Sequence, residues 1–228
     1  MDNETAPALL GPLPRERRDG SEAFHAAGAE LGFNVLSFWQ WSASDLVGNA
    51  LRGILAEYLV AQALGVANVG IREGWAPYDL KTPEGITVEV KSAAYIQSWH
   101  QNQHSTIVFS CPKTRAWDPQ TGGHEEEARR QARVYVFALL AHQEQATLDP
   151  LDLVQWEFYV VPTAALDARE RSQHSITLNS LKALHGEPVG FEGIAEAVAR
   201  ADAEVVEEGS CSSTKKQQPG AHPPPPGR

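Results

Sequence analysis

The chain has 228 residues, of which 42% are hydrophobic and 21% are charged, and its formal net charge is -10. These values fit one globular domain with a sizeable core, and they exclude a collagen, a coiled coil and a wholly disordered chain. An acidic protein does not coat nucleic acid through bulk charge, so any such contact must come from a local groove. Two cysteines without close pairing, no signal-like N-terminus and no run of about 18 apolar residues predict a cytoplasmic protein without a membrane segment.

Composition divides the chain into three parts. Residues 1–30 are predicted to form a disordered or extended N-terminal segment, because the first 22 combine prolines and mixed charges without an apolar period. Residues 206–228 are rich in Ser, Gln, Gly and Pro, which predicts a disordered Pro-rich tail. Residues 31–205 are predicted to form one domain, with 13 Lys and Arg against 21 Asp and Glu and therefore a net charge of -8.

The order of elements in that domain predicts an α/β fold. A helix capped by Ser42 or Ser44 is expected to end at Gly65, and a hairpin follows it. Later strands rich in β-branched and aromatic residues are expected at 105–110, 133–140, 155–162 and 175–178. Further helices are expected from Thr163 and over 191–201. This order favours a central mixed sheet flanked by helices.

The hairpin has strands at 77–82 and 86–91, and its register brings two acids together. Side chains alternate between the two faces of a strand, so Glu89 and Lys91 share one face. A turn centred on Glu84 places Asp79 opposite Glu89, with Cβ atoms about 4.5–5.5 Å apart. Two carboxylates so placed repel each other, and either a cation must lie nearby or one of them must be protonated.

Glu57 lies on the predicted helix, which is apolar almost all round. Such a helix is mostly buried, and the neighbours of Glu57 one turn away offer no charged partner. A carboxylate in this setting needs a cation or a proton from elsewhere in the fold.

Glu57, Asp79, Glu89 and Lys91 are therefore expected to converge on one site. Mg²⁺ prefers oxygen ligands and keeps several waters, so a few carboxylates suffice to hold it. The arrangement is suited to hydrolysis of a phosphodiester, because the ion polarises the phosphate and lowers the pKa of a bound water. Asp79 and Glu89 are expected to bind Mg²⁺, with Mn²⁺ as a substitute. Glu57 is expected to support the metal or the water, and Lys91 to orient water or neutralise developing charge.

These residues carry a resemblance to a known family. Pro77-Tyr78-Asp79, followed after nine residues by Glu89-Val90-Lys91, resembles the core motif of the PD-(D/E)XK nuclease superfamily, although Tyr78 separates the proline from the aspartate. The resemblance implies a restriction-endonuclease-like core of a helix, three antiparallel strands, a helix and a further strand. It also implies that Asp79, Glu89 and the Val90 carbonyl ligate Mg²⁺, that Lys91 is catalytic and that the substrate is DNA. An acid on the preceding helix, here Glu57, is another feature of that group.

The segments FWQW, LAEY and QWEFYVVPT look similar to an uncharacterised bacterial branch of proteins, and this second resemblance implies no activity.

Other interpretations of the same residues stay open. Asp79, Glu89 and Lys91 are also typical of an exposed polar hairpin face, and Glu57 of a structural salt bridge to Arg52, Arg72 or an arginine within 129–133. The alternative function is therefore a catalytically inactive module on the same fold that binds nucleic acid or protein. The sequence does not decide the oligomeric state and is compatible with a homodimer.

Five basic residues follow the hairpin and could bind phosphates locally. They could equally compensate the acids at 125–127. These residues are Lys113, Arg115, Arg129, Arg130 and Arg133.

Overall fold

The computed structural model describes residues 13–117, 123–170 and 172–214. Its strands are β1 (Ala23–Ala26), β2 (Ala29–Asn34), β3 (Leu80–Lys81), β4 (Thr87–Ala94), β5 (Val108–Ser110), β6 (Val134–Leu140), β7 (Trp156–Pro162) and β8 (Ser175–Thr177). Its α-helices are α1 (Val35–Ala43), α2 (Asn49–Ala63), α3 (Thr163–Asp167), α4 (Leu178–His185) and α5 (Ile194–Thr214). None of the helices in these ranges is both long enough and apolar enough to cross a membrane.

A four-stranded mixed sheet in the order β3-β4-β6-β7 lies at the centre of the fold. β3 is antiparallel to β4, β4 is parallel to β6, and β6 is antiparallel to β7. The predicted α/β class, with a central mixed sheet flanked by helices, is therefore confirmed. The three antiparallel strands implied by the resemblance are not found, because the chain leaves the sheet after β4 and returns beside it in the same direction, which requires a long crossover.

Each face of the sheet is covered by a separate hydrophobic layer. Val88 and Val90 point to one face, where they pack with residues of α2 and α5 such as Val60 and Val198. Ala93 points to the other face, which is covered by α3, α4 and the two-stranded ribbon of β5 and β8. Because side chains alternate along β4, this arrangement also decides which face each candidate site residue occupies.

The single helix predicted from Ser42 or Ser44 is two helices. α1 begins at an Asn34 capping box with Ser37 and ends at Ser44, which is its C-cap. The side chain of Asp45 then accepts the Gly48 N–H at 3.0 Å, and Gly48 is the N-cap of α2. The sequence prediction failed because Asp45 hydrogen-bonds into a local turn instead of continuing the helix.

The predicted end of the helix at Gly65 is confirmed. The Gly65 N–H donates to the Gln62 carbonyl at 3.0 Å, and the Val66 N–H donates to the Ala61 carbonyl at 2.9 Å. These two bonds form a Schellman motif, and Gly65 has the φ of +71° that the motif requires.

Ordered structure crosses both predicted domain boundaries. The hairpin of β1 and β2 begins at Ala23, before the predicted boundary at residue 30, because its strands pair with each other. Helix α5 continues to Thr214, past the predicted boundary at 206, because the helix that packs on the sheet propagates into the polar segment. Residues 1–12 and 215–228 of the predicted tails lie outside the described residues.

Gly53, inside α2, and Gly65, just after its C-terminal end, give a matched stability test. Gly65→Ala should lower the free energy of unfolding by about 1–2 kcal/mol, because a side chain is strained at positive φ although the space around it is open. Gly53 lies in the helix interior, also in open space. Gly53→Ala should therefore raise the free energy of unfolding by about 0.5–1 kcal/mol. Urea denaturation of both variants checks the prediction, and equal effects of the same sign would contradict it.

Candidate active site

Asp79 lies immediately before β3, at the edge of the sheet. The predicted hairpin register is confirmed, since Leu80 pairs with Val88 and Lys81 pairs with Thr87. At Asp79 the ladder changes, because its N–H donates to the Val88 carbonyl at 3.1 Å while its carboxylate accepts the Val90 N–H at 2.7 Å. The regular strand is therefore shorter than predicted, and the backbone of β4 holds the carboxylate directly.

Glu89 and Lys91 lie on the same face of β4, as predicted. The Lys91 ammonium contacts the Glu89 carboxylate at 2.5 Å, and both side chains are partly buried. Glu89 is beside Tyr135 of β6, and Lys91 is beside Phe137. Burial, followed by the charge of Glu89, raises the pKa of Tyr135 above its usual range. Glu89 therefore lies on the face of the sheet that Tyr135 occupies.

The Asp79 carboxyl is destabilised in its charged form. Burial is the largest cause and the nearby charge of Glu89 the second, and together they raise the pKa of Asp79 to about 6. The Val90 hydrogen bond and the Lys91 charge oppose this rise but do not cancel it. Burial and the charge of Glu89 thus both disfavour the ionised form of Asp79, and a bound cation would relieve this cost.

Glu57 is held by an arginine. The Arg72 guanidinium forms a two-pronged ion pair with this carboxylate, through Nε to Oε2 and through Nη2 to Oε1, the latter at 2.8 Å. Glu57 also adds to the negative field at Asp79, so the two acids are near neighbours. Of the two interpretations open for Glu57, the salt bridge to Arg72 is what the structure shows.

The layers of the fold explain why the acids do not form one cluster. Glu57 belongs to α2, which packs on the Val88 and Val90 face, whereas Glu89 and Lys91 point to the opposite face. Asp79 lies at the sheet edge between them. Within the described ranges, no group of three or more His, Cys, Asp or Glu side chains is close enough to hold a metal ion.

Arg52, an alternative partner for Glu57, lies elsewhere and is buried, with 4% of the residue exposed. Its guanidinium donates to the Val47 carbonyl at 2.9 Å, to Asn49 at 2.5 Å and to Gln97 at 3.2 Å. These acceptors are neutral, and burial lowers the pKa of Arg52. Arg52 therefore joins the start of α2 to the segment after β4 and takes no part in the acidic site.

The basic residues after the hairpin mostly pair with acids. Arg129 contacts Glu125 at 2.8 Å, although this segment is not helical, and Arg133 contacts Asp202 at 2.8 Å. Arg130 is buried and contacts Asp167, as does Lys113 at 3.5 Å. All four residues pair with an acid, but only Arg129 pairs with one of the acids at 125–127 that the sequence analysis considered.

A cavity of about 630 Å³ beside Asp79 was missed by the sequence analysis. It lies between α2, the segment 66–76 and the start of β3, and Glu57, Arg72 and Asp79 contribute to its wall. Its wall includes Ile54 and Tyr58, which lie one turn apart on α2. The sequence analysis treated this helix as buried in the core. The structure leaves these two residues 41% and 53% exposed.

Comparison with known families decides the class of protein. The family model described as bacteriophage T4 endonuclease IV matches residues 34–180, which is well over half of the chain. The chain belongs to this family. No match was found among curated proteins or among solved structures.

Membership of the endonuclease IV family confirms the predicted nuclease class. The matched segment contains all five candidate site residues, Glu57, Asp79, Glu89, Val90 and Lys91. It leaves out β1 and α5. The sheet edge that carries the candidate site therefore lies within the part that defines the family.

The raised pKa of Asp79 predicts a stability effect without metal. A carboxyl whose folded pKa of about 6 exceeds its unfolded value near 3.8 binds more protons in the folded state, so it lowers stability as the pH rises from about 4 to 6. Asp79→Asn removes this cost and should raise the free energy of unfolding at pH 7.5 by about 1–3 kcal/mol.

Urea denaturation in EDTA at pH 4 and pH 7.5 measures this effect. The gain should be much smaller at pH 4, where the wild-type carboxyl is largely protonated in the folded state. An exposed carboxyl, Asp149→Asn, serves as the control. A destabilised Asp79→Asn at pH 7.5 would contradict the inferred repulsion.

Proposed function

We propose that this endonuclease IV family member is a Mg²⁺-dependent enzyme of the PD-(D/E)XK type that hydrolyses phosphodiester bonds in DNA. The observation that carries the proposal is the placement of two partly buried carboxylates at one sheet edge, with Asp79 held by the Val90 N–H at 2.7 Å and Glu89 by the Lys91 ammonium at 2.5 Å. A structural ion pair alone gives no reason to bring two acids together at a sheet edge. A cation-binding site does.

The donors at the sheet edge fit Mg²⁺. Asp79 and Glu89 supply carboxylate oxygens, and Val90 supplies a backbone carbonyl between them in sequence. Mg²⁺ retains several waters and is commonly held by one or two carboxylates together with substrate phosphate, so the lack of a third acid is compatible with it. Bound there, it would polarise the phosphate and lower the pKa of a water; Mn²⁺ would substitute for it.

Lys91 is proposed as the catalytic residue of the chain itself. Its ammonium is held at 2.5 Å from Glu89 and remains partly exposed, so it can donate to an attacking water or to a phosphate oxygen. A fixed positive charge at this position stabilises the negative charge that develops in the transition state.

Glu57 supports the site through Arg72. The ion pair occupies Nε and Nη2 of the guanidinium and leaves the Nη1 donors out of that pair. The charge of Asp79 also favours the protonated guanidinium, which shows that Arg72 lies near the acidic edge. In this position it can contact a neighbouring phosphate of the substrate.

DNA binding by this protein has to be local. The domain has a net charge of -8, so most of its surface repels a polyanion. Arg72, Lys81 and Lys91 lie in the region of the site and supply its positive charge. A bound divalent cation would add to this charge. We expect contact with only a few phosphates and hence a shallow dependence of affinity on salt.

Lys91→Ala should lower the rate of Mg²⁺-dependent cleavage by about 100-fold or more while leaving the fold intact, because it removes a charge from the reaction centre. Gel assays with plasmid and oligonucleotide DNA, together with far-UV circular dichroism, measure both effects. Lys182→Ala, at an exposed position of α4, is the matched control and should cleave like the wild type. If purified Lys91→Ala cuts at the wild-type rate, the assignment of the site is wrong.

Calorimetric titration distinguishes the enzyme from an inactive binding module. The wild type should bind Mg²⁺ and Mn²⁺, and the double variant D79N/E89Q should lose this binding because its oxygen ligands lose their charge. Asp149→Asn should bind like the wild type. Absence of metal binding by a folded wild-type protein would instead favour a module on this fold that binds nucleic acid or protein without cutting.

A further inference from the structure

The cavity beside Asp79 has the size and lining of a ligand site. Its volume of about 630 Å³ lies within the range of roughly 300–1,000 Å³ that is common for pockets holding small ligands. Most of the wall is apolar or aromatic, with contributions from Ile54, Tyr58 and Tyr78. Such walls bury a flat hydrophobic ligand, and a few charged groups fix its orientation.

The charged groups of the cavity form one connected set. Arg72 is paired with Glu57, and both residues line the cavity together with Asp79. Asp79 therefore belongs to the cavity wall and to the proposed cleavage site at once. A ligand in the cavity must lie next to a phosphate bound at that site.

Tyr58 presents a ring to the cavity. The residue is 53% exposed, although neighbouring positions of α2 such as Ala56 and Val60 are fully buried. Gln62, one turn later, donates to the Tyr58 hydroxyl at 2.7 Å and restricts the ring. An accessible ring with restricted motion is suited to stacking, because little conformational entropy is lost when a ligand binds.

We propose that this cavity binds one unpaired nucleobase of the DNA substrate, adjacent to the phosphate at the Asp79 site. The base contacts the apolar wall and the ring of Tyr58, and Arg72 contacts the phosphate of the same or the next nucleotide. The proposal rests on the proposed nuclease function for its substrate. The base can come from a single strand or from a duplex from which it has been extruded, since both present the same flat aromatic surface.

Binding without metal tests the pocket independently of cleavage. Fluorescence anisotropy in EDTA measures the affinity of the whole chain for a labelled 12-nucleotide single strand and for an abasic deoxyribose-phosphate oligomer of equal length. Tyr58→Leu should weaken binding of the base-containing strand by about tenfold, within the range seen when a stacking aromatic is removed. Its affinity for the abasic oligomer should not change, because the backbone contacts remain.

Three further variants control this comparison. Tyr58→Phe keeps the ring and should bind within about twofold of the wild type. Trp41→Leu removes an aromatic residue that is 85% exposed on α1, outside the cavity, and should not affect either oligomer. Ile54→Ala reduces the same cavity wall and should cause a smaller base-specific loss, which keeps the test available if Tyr58→Leu fails to fold.

A hairpin duplex of the same sequence identifies the source of the base. An effect of Tyr58→Leu on both the single strand and the duplex indicates an extruded base, and an effect on the single strand alone indicates a base that was already unpaired. If Tyr58→Leu loses equal affinity for the base-containing and abasic oligomers, or loses none, the proposed base pocket is wrong. It is also wrong if the wild type does not bind the base-containing strand. Base-specific binding without any cleavage in Mg²⁺ would overturn only the proposed nuclease function.

Discussion

The charge repulsion between Asp79 and Glu89 is the constraint on which the candidate site depends. Two negative groups are held together by backbone geometry, through the hairpin register and the Val90 N–H, rather than by attraction between them. Burial and the charge of Glu89 raise the pKa of Asp79 to about 6, and the charge of Lys91 offsets only part of this rise. In the proposed function, a cation bound between the two carboxylates would relieve this cost.

The sheet separates two groups of charged residues around this edge. Glu89 and Lys91 lie on the face covered by Tyr135 and Phe137, and the Glu57–Arg72 pair lies on the side of α2. Asp79 is the only candidate acid that interacts with both groups among the described residues. A nucleotide bound across the edge would meet the carboxylates and Lys91 at its phosphate and the cavity of Tyr58 at its base. In the proposed binding mode, cleavage and base recognition would use different elements of the same fold.

Local chemistry in the sequence was sufficient to predict the hairpin, its register and the Glu89–Lys91 face, because alternation and a tight turn act over a few residues. It was also sufficient for β6, β7 and the end of α2 at Gly65. It missed the local Asp45 turn that splits the first helix, and it could not decide what depends on distant residues. Only the fold selects Arg72 among the partners considered for Glu57, and the cavity forms only when the segment 66–76 lies beside α2. The parallel direction of β6 likewise depends on a crossover with little apolar periodicity.

That parallel pairing also determines how much of the chain must be present before the candidate site can assemble. β4 is stabilised on one side by the two-residue strand β3 and on the other by β6, which begins only at Val134. A nascent chain that ends before β6 holds the acids in a hairpin too short to be stable alone. Because the crossover must close before β6 can pair, the acids of the hairpin reach their places late in folding. A nascent chain is therefore expected to assemble the candidate site only after β6 has emerged.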